Sequence, residues 1–134
     1  MEIIAEYTGN ARFDVAARGH RVVCDQPPEN GGADAGMTPP EFLLASLATC
    51  AGFYATQYLN ARKLPARGLT VTVTAEKALQ PARLDSFRIE VYTPELEARH
   101  EEGVLRAVKA CLIHNTLHGN PAIEIAIRPA AAAI

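Results

Sequence analysis

One long, almost entirely apolar segment constrains the fold of this chain more than any other feature. From Phe42 to Leu59 nearly every residue is apolar or small, and Thr38, Pro39 and Glu41 precede this run. Thr38 fits the N-cap, proline suits the first helical position, and Glu41 completes a capping box. A helix that is apolar nearly all round is a buried one, and one sheet of so small a chain cannot easily cover it. We therefore predict a central helix and a partner subunit that helps to cover it.

Alternating apolar residues predict strands on both sides of this helix. Antiparallel strands are expected before it and after it, with Phe87, Ile89 and Val91 facing inward in the last of these. A second helix, a possible further helical turn and a final strand with Ile123, Ile125 and Ile127 follow. The predicted order βββ–α–ββ–α(α)–β indicates an α+β domain with antiparallel sheets around two central helices. The predicted strands are 3–8, 12–17, 21–25, 69–76, 87–92 and 123–127, and the later helices are 95 or 98 to 111 and 112–118.

Composition and charge exclude several classes of protein. The 134 residues form one domain, 1–134, and a net charge of −2 without a basic stripe argues against a nucleic-acid partner. We find no apolar run of membrane-spanning length and no secretory signal, so we expect a cytoplasmic protein and no membrane. In a reducing cytoplasm, cysteines are expected as thiols, and a disulfide is expected to be catalytic or transient. The Pro- and Gly-rich stretch from Gln26 to Pro40 is predicted to be a loop.

The three cysteines lie in different predicted elements. Cys24, in a strand, is expected to be a small buried hydrophobe. Cys50 lies in the middle of the long helix among small neighbours, and this pattern fits a core thiol as well as a nucleophile. Cys111 lies near the end of the second helix, where it can become the partner of Cys50 across a helix pair.

A redox reaction would use Cys50 as a thiolate that attacks an O–O bond and becomes a sulfenic acid. Cys111 would then condense with it to a disulfide, and an external thiol would restore both. A thiolate needs a nearby cation or helix N-terminus, and neither stands next to Cys50 in the sequence. We therefore expect a cation from elsewhere in the chain. The candidates are Arg12, Arg18, Arg21, Lys109 and His114.

The spacing Cys111-x2-His114-x3-His118 leaves a metal site as a competing interpretation. On one continuous helix these three side chains would share a face. A fourth ligand such as His100 or Glu124 is not obvious, and zinc needs three or four placed ligands. We favour partly exposed histidines at a helix end, and no metal.

Two motifs then resemble a known family. TPPEFLLASLATC (38–50) and VLRAVKACLIHNTLHGNPAIEI (104–125) are similar to signatures of the OsmC/Ohr superfamily, the osmotically inducible proteins and organic hydroperoxide reductases. The resemblance extends from about Phe13 to Ile127 and includes the Gly-rich approach from Gly31 to Glu41.

The resemblance implies an intertwined α+β homodimer whose two central helices pack back to back, with active sites at the dimer interface. It implies thiol-dependent reduction of organic hydroperoxides, with Cys50 as peroxidatic and Cys111 as resolving residue. Electrons would come from a small dithiol such as a lipoyl group. No cofactor, metal or organic, is implied.

Three features depart from the reductases, and the pattern CxxHxTL from Cys111 to Leu117 is closer to the OsmC-like branch. No match exists for their N-terminal Gly-Gly-Arg, so Arg18 or Arg21 is a loose substitute for the arginine that holds the thiolate. Leu112 stands where proline often follows the second cysteine. Glu41 lies nine residues before Cys50, which on a straight helix points it about 180° away, so a capping role is favoured over a catalytic one. The alternative function is a small-molecule binding protein that uses the interface pocket without peroxidase turnover.

Overall fold

The computed structural model describes residues 1–129 as five strands and three helices. The elements follow the predicted βββ–α–ββ–α(α) order, and the α+β class with antiparallel sheets is confirmed. Two short 3-10 turns, at Pro28–Asn30 and Ala98–His100, lie between the longer elements. The strands are β1 (Ile4–Gly9), β2 (Arg12–Ala17), β3 (His20–Cys24), β4 (Thr70–Ala78) and β5 (Arg83–Tyr92), and the helices are α1 (Pro39–Ala61), α2 (Glu101–Lys109) and α3 (Leu112–His118).

The first three strands form an antiparallel meander in the order β1-β2-β3. Its β2–β3 turn is tight because Arg18 and Gly19 both adopt positive φ, which is typical of two-residue hairpin turns. Within residues 1–129 this sheet makes no extensive contact with the helices or with β4 and β5. Large apolar side chains such as Ile4, Tyr7 and Val22 therefore remain exposed.

The core lies where α1, α2 and the β4–β5 hairpin pack together. The hairpin is antiparallel, and Val71 pairs with Val91 and Val73 with Ile89, so one face turns apolar side chains toward α1. Phe87 lines a cavity together with Leu47 and Ile89, but it is only partly covered, with 37% of its surface exposed. The buried members of the core cluster are Ala51, Ala55, Leu59, Val104 and Val108.

Helix α1 buries a single stripe within one chain. Its fully buried residues recur every four positions, at Leu47, Ala51, Ala55 and Leu59, whereas Phe53 on another face is 57% exposed. The prediction of a helix buried on all sides is therefore not met by one chain.

Helix α1 also bears on the expectation that the chain has no membrane-spanning segment. By length and composition alone, α1 is long and apolar enough to cross a membrane. This is weak evidence for a membrane, because core helices of soluble proteins share the property.

A glycine allows α2 to approach α1 closely. The Tyr58 ring lies against Gly103, where any side chain would collide with the phenol. The Tyr58 hydroxyl also hydrogen-bonds with His100 Nδ1 at 3.2 Å, just before α2 begins. Gly103 thus permits close contact between α1, which carries Cys50, and α2, which ends two residues before Cys111.

The predicted last strand does not form in the single chain. Residues 123–127 have no strand partner among the described residues, and Ile123, Ile125 and Ile127 are each more than 80% exposed. A strand is stabilised by pairing with a neighbour, and an alternating apolar pattern cannot supply one by itself. The prediction of a sixth strand is therefore wrong for one chain.

The buried carboxylate of Asp25, which no sequence pattern indicated, organises the loop between β3 and α1. Asp25 is 2% exposed, and its Oδ2 accepts hydrogen bonds from the amides of Ala33 (3.1 Å) and Ala35 (3.0 Å). Its Oδ1 accepts one from Gln26 N–H at 2.8 Å. Gly36 permits this compact path, because a side chain there would collide with the Val23 carbonyl. The loop therefore delivers the chain to the start of α1 in a defined orientation.

Candidate active site

The structure brings Cys50 and Cys111 together. Cys50 lies in the middle of α1, while Cys111 follows α2 and directly precedes α3. Cys50 is half-buried, and the Cys111 side chain has no exposed surface. The Cys111 thiol hydrogen-bonds to Cys50, and both cysteines are in the reduced form. The sequence predicted Cys111 near the end of the second helix, but α2 ends at Lys109 and Cys111 lies between α2 and α3. The packing of α1 against α2 and α3 brings the two thiols together.

The first turn of α3 surrounds the two sulfur atoms with amide groups. Cys111 is the N-cap of α3, and its Sγ accepts a hydrogen bond from His114 N–H at 3.4 Å. The amides of Ile113 and Leu112 hydrogen-bond to Cys50. These N–H groups have no acceptor within α3, because the first amides of a helix lack an intrahelical partner. They are therefore available to stabilise a thiolate.

This environment shifts the pKa values of the two cysteines in opposite directions. Burial raises the pKa of Cys50, but hydrogen bonds from the Cys111 thiol, Ile113 N–H and Leu112 N–H outweigh it, so the pKa is lowered. Burial and the hydrogen bond donated to Cys50 raise the pKa of Cys111. Opposed shifts in a pair of titratable groups assign different roles to its members. Cys50 is therefore the member of the pair that ionises more readily, and Cys111 is the donor to it.

Glu41 lies at the first turn of α1 and caps that helix. Its Oε1 accepts hydrogen bonds from Thr38 N–H and from Thr38 Oγ1, each at 2.9 Å. These bonds lower the pKa of Glu41, with the backbone N–H as the largest cause. The carboxylate is thus engaged at the start of the helix in one chain, as the capping box predicts, while Cys50 lies nine residues further on.

The cation expected beside the thiol is not supplied by Arg21 within one chain. Arg21 is exposed on β3, in the sheet that stands apart from α1. Arg12 forms an ion pair with Asp14 at 3.0 Å, and Arg18 and Lys109 are exposed. In one chain, the Cys111 thiol and then the amides at the start of α3 lower the pKa of Cys50. The sequence predicts a helical turn directly after Cys111, but it does not indicate that the amides of this turn lie beside Cys50.

The predicted metal alternative required one helix through Cys111, His114 and His118. The backbone at Cys111 is extended (φ −55°, ψ 129°), so α2 and α3 are separate and the three side chains do not share one helical face. His100, considered as a fourth ligand, is hydrogen-bonded to Tyr58. Across residues 1–129, no group of three His, Cys, Asp or Glu side chains is placed to hold a metal ion.

Comparisons with known proteins agree with this architecture. The sequence family described as OsmC-like protein matches residues 31–126. The OsmC-like protein of Mycoplasma pneumoniae is similar in structure, with 24% identity, a TM-score of 0.73, and coverage of 89% of this chain and 87% of that one. An organic hydroperoxide resistance protein OsmC from Legionella pneumophila has 20% identity, a TM-score of 0.62, and coverage of 90% and 91%. No curated protein matches the sequence.

Proposed function

Because the chain belongs to the OsmC-like protein family, we propose that it is an enzyme that reduces organic hydroperoxides with Cys50 and Cys111. The observation that supports this most directly is the hydrogen-bonded cysteine pair with oppositely shifted pKa values. A structural relative in Legionella is described as an organic hydroperoxide resistance protein. The role in the cell would be protection from oxidative stress.

The proposed reaction has three balanced steps. The Cys50 thiolate attacks the O–O bond of the hydroperoxide, giving a Cys50 sulfenic acid and an alkoxide that takes a proton and leaves as the alcohol. The Cys111 thiol then condenses with the sulfenic acid, forming the Cys50–Cys111 disulfide and releasing water. A small dithiol, such as a lipoyl group, reduces this disulfide by exchange and becomes a cyclic disulfide itself.

The hydrogen bond between the cysteines serves the first two steps in turn. By donating to Cys50, Cys111 favours the thiolate that begins the reaction. The same contact keeps the resolving sulfur beside Cys50 when the sulfenic acid appears. Because Cys111 has no exposed surface and Cys50 is only half-buried, Cys50 is the more accessible of the two to a hydroperoxide from solvent.

We also propose a cytoplasmic homodimer as the active form. The isolated meander, the exposed Phe53 face of α1 and the exposed isoleucines of 123–127 are apolar surfaces that one chain leaves uncovered. Surfaces of this kind mark protein interfaces. In such a dimer the partner could bring its own Arg21 or Glu41 to the thiol, which keeps both residues as candidates for a catalytic role.

The deciding experiment treats reduced protein with cumene hydroperoxide and counts free thiols over time. We expect the loss of two thiols per chain, with the disulfide mapped to Cys50 and Cys111 by mass spectrometry. Cys50→Ser should abolish the loss, and Cys111→Ser should leave a sulfenic acid that over-oxidises. Cys24→Ser is the matched control and should behave like the wild type. Wild-type thiols that survive the peroxide would overturn the proposal.

A binding protein without turnover is the second candidate, and a cavity bordered by α1, β5 and α3 favours it. The two functions differ in what the cysteines do. A binding protein should take up an apolar ligand equally well with Cys50→Ser, Cys111→Ser or both, and its thiols should not be consumed. Peroxide-dependent formation of the disulfide, followed by recovery with dihydrolipoamide, would exclude this candidate.

A further inference from the structure

A cavity of about 380 Å³ lies between strand β5 and helix α2. Its volume is within the range of small-ligand pockets. Neither Cys50 nor Cys111 lines it, and it shares only Ile89 with the cavity bordered by α1, β5 and α3. Six apolar residues form most of its wall. They are Ile89, Val91, Leu96, Val104, Leu105 and Val108.

One face of α2 supplies both a carboxylate and part of the apolar wall. Glu101 is the first residue of α2, and Val104, Leu105 and Val108 follow it at intervals of three, four and seven residues. Residues at these intervals share one face of a helix. Val108 therefore lies about 10 Å beyond Glu101 along the helix axis. A ligand on this face would meet a charge at one end and apolar side chains along the rest.

The carboxylate of Glu101 has no cation beside it. No ion pair among residues 1–129 includes Glu101, and no lysine, arginine or histidine lines the cavity. The preceding arginine, Arg99, pairs with Glu97 at 3.3 Å. The two cations of α2, Arg106 and Lys109, also lie outside the lining. Among the described residues, Glu101 is therefore the one charged group of the cavity.

Two further polar residues of the lining favour the same kind of ligand. Tyr92 contributes an aromatic ring, and Tyr92 and Thr93 both contribute a hydroxyl group. The face of an aromatic ring attracts a cation, and a hydroxyl oxygen accepts a hydrogen bond from an ammonium group. A carboxylate accepts such a bond with charge assistance, which strengthens it. These groups together favour a positively charged hydrogen-bond donor.

We propose that the cavity between β5 and α2 binds small apolar molecules that carry one positive charge, with an ammonium group on Glu101 and an alkyl body along Val104, Leu105 and Val108. The alkyl body would cover Leu105, which is 53% exposed, and removal of such surface from water is favourable. An uncharged molecule would lack the charge-assisted bond, and an anion would be repelled by Glu101. The site does not depend on the proposed peroxidase reaction.

The test compares three molecules with the same chain, octylammonium, 1-octanol and octanoate. Each is titrated into the protein while backbone amide shifts are followed by NMR. Signals of Val104, Leu105 and Val108 report this cavity, and those of Leu117 and His118 report the cavity bordered by α1, β5 and α3. At the α2 signals, octylammonium should bind about tenfold more tightly than 1-octanol, because a charge-assisted bond replaces a neutral one, and octanoate should bind most weakly. Equal affinities of the three, or no octylammonium shifts in α2, would overturn the proposal.

Variants of α2 locate the charge and the apolar wall. Glu101→Gln should weaken octylammonium binding about tenfold and leave 1-octanol binding unchanged. Glu102→Gln is the matched control, because it removes the same charge from the same helical turn but lies outside the lining. Leu105→Ser should weaken the binding of both probes, since it removes apolar wall. Equal loss of octylammonium binding in the two glutamine variants, or no loss in Glu101→Gln, would contradict the assignment.

Two cysteine variants separate this site from the peroxidase reaction. Octylammonium should bind Cys50→Ser and Cys111→Ser as tightly as the wild type, because neither cysteine lines the cavity. Glu101→Gln should lose its thiols to cumene hydroperoxide at the wild-type rate. Octylammonium binding that requires Cys50 would place the ligand at the cysteine pair and overturn the site between β5 and α2. Wild-type thiols that survive the peroxide would overturn the proposed function and leave the octylammonium result to stand by itself.

Discussion

The Cys111 thiol donates a hydrogen bond to Cys50, and this contact lowers the pKa of Cys50 while it raises that of Cys111. Helices α1 and α3 create the relationship, because Cys50 projects from the middle of one and Cys111 caps the other. If Cys111 resolves the sulfenic acid as we propose, the same buried thiol also favours ionisation of Cys50 before oxidation. Within one chain, the lowered pKa of Cys50 is due to hydrogen bonds, with no cation among its causes.

Removing the Cys111 thiol should make Cys50 less acidic. In Cys111→Ala the amides of Leu112 and Ile113 remain, but the donated hydrogen bond is lost, so the pKa of Cys50 should rise. Alkylation of Cys50 by iodoacetamide at neutral pH should slow by roughly fivefold, as expected for a hydrogen bond of about 1 kcal/mol. The matched control, Cys24→Ala, should leave the rate for Cys50 unchanged. Alkylation that is equally fast in Cys111→Ala would show that the amides alone activate the thiolate.

Two variants distinguish the helix-capping role of Glu41 from a catalytic role of the same residue. Thr38→Ala and Glu41→Gln both weaken the bonds at the start of α1, and Thr38→Ala should cost about 1 kcal/mol of unfolding free energy. Urea denaturation measures this loss. If Glu41 only caps the helix, the two variants should change the rate of peroxide consumption to the same extent. A much slower Glu41→Gln enzyme would assign the carboxylate to the reaction in the assembled protein.

Asp25 should make the stability of the fold depend on pH. Hydrogen bonds from Ala35 N–H and Gln26 N–H lower its pKa against the opposing effect of burial, with further help from Ala33 N–H and Arg12. Because the folded pKa is the lower one, the stabilisation is present above the ordinary value of 3.8 and is lost as pH falls through the folded pKa. Urea midpoints of the wild type should therefore drop in this acid range. Asp25→Asn should be less stable at neutral pH and should lose less on acidification.

A methyl group at position 103 should separate α1 from α2. Gly103→Ala places a Cβ in the space of the Tyr58 phenol, and overpacking of this kind costs about 1–3 kcal/mol. Gly52→Ala is the matched control, because its Cβ would meet Val71 Cγ2 at 3.4 Å, and alanine favours a helix. Thermal unfolding followed by circular dichroism should give a lower midpoint for Gly103→Ala only. Equal midpoints for both variants would mean that the helices adjust to the larger residue.

The exposed isoleucines of residues 123–127 indicate a substitution that should dissociate the proposed dimer. Ile125 is 85% exposed in one chain, and a charge at this position would be costly inside an apolar interface. Light scattering of the wild type at micromolar concentration should give the mass of a dimer, and Ile125→Asp should shift it toward the monomer. Glu124→Gln, at the neighbouring position, serves as the control. A wild-type monomer would overturn the dimer directly.

Local patterns predicted most of the elements, because their signals lie within a few residues. The capping residues Thr38 and Glu41 and the apolar run behind them predicted α1 well. The alternation around Val71 and Ile89 predicted the β4–β5 pair in the same way. The strand at 123–127 failed, since alternation predicts that a segment can pair but not that a neighbouring strand is present in the same chain. Asp25 was missed because its partners, the amides of Ala33 and Ala35, carry no side-chain signal.

The sequence by itself determined the order of the elements as far as α3, the helix that carries Cys50, and the resemblance to a thiol-dependent family. Only the tertiary structure decided that the two cysteines meet, which of them has the lowered pKa, and that amides at the start of α3 contribute to this shift. The physical reason is that pKa values and cavities depend on groups distant in sequence, whereas helix caps and alternation are local. Glu101 shows the same division, because its charge was visible in the sequence and the apolar cavity beside it was not.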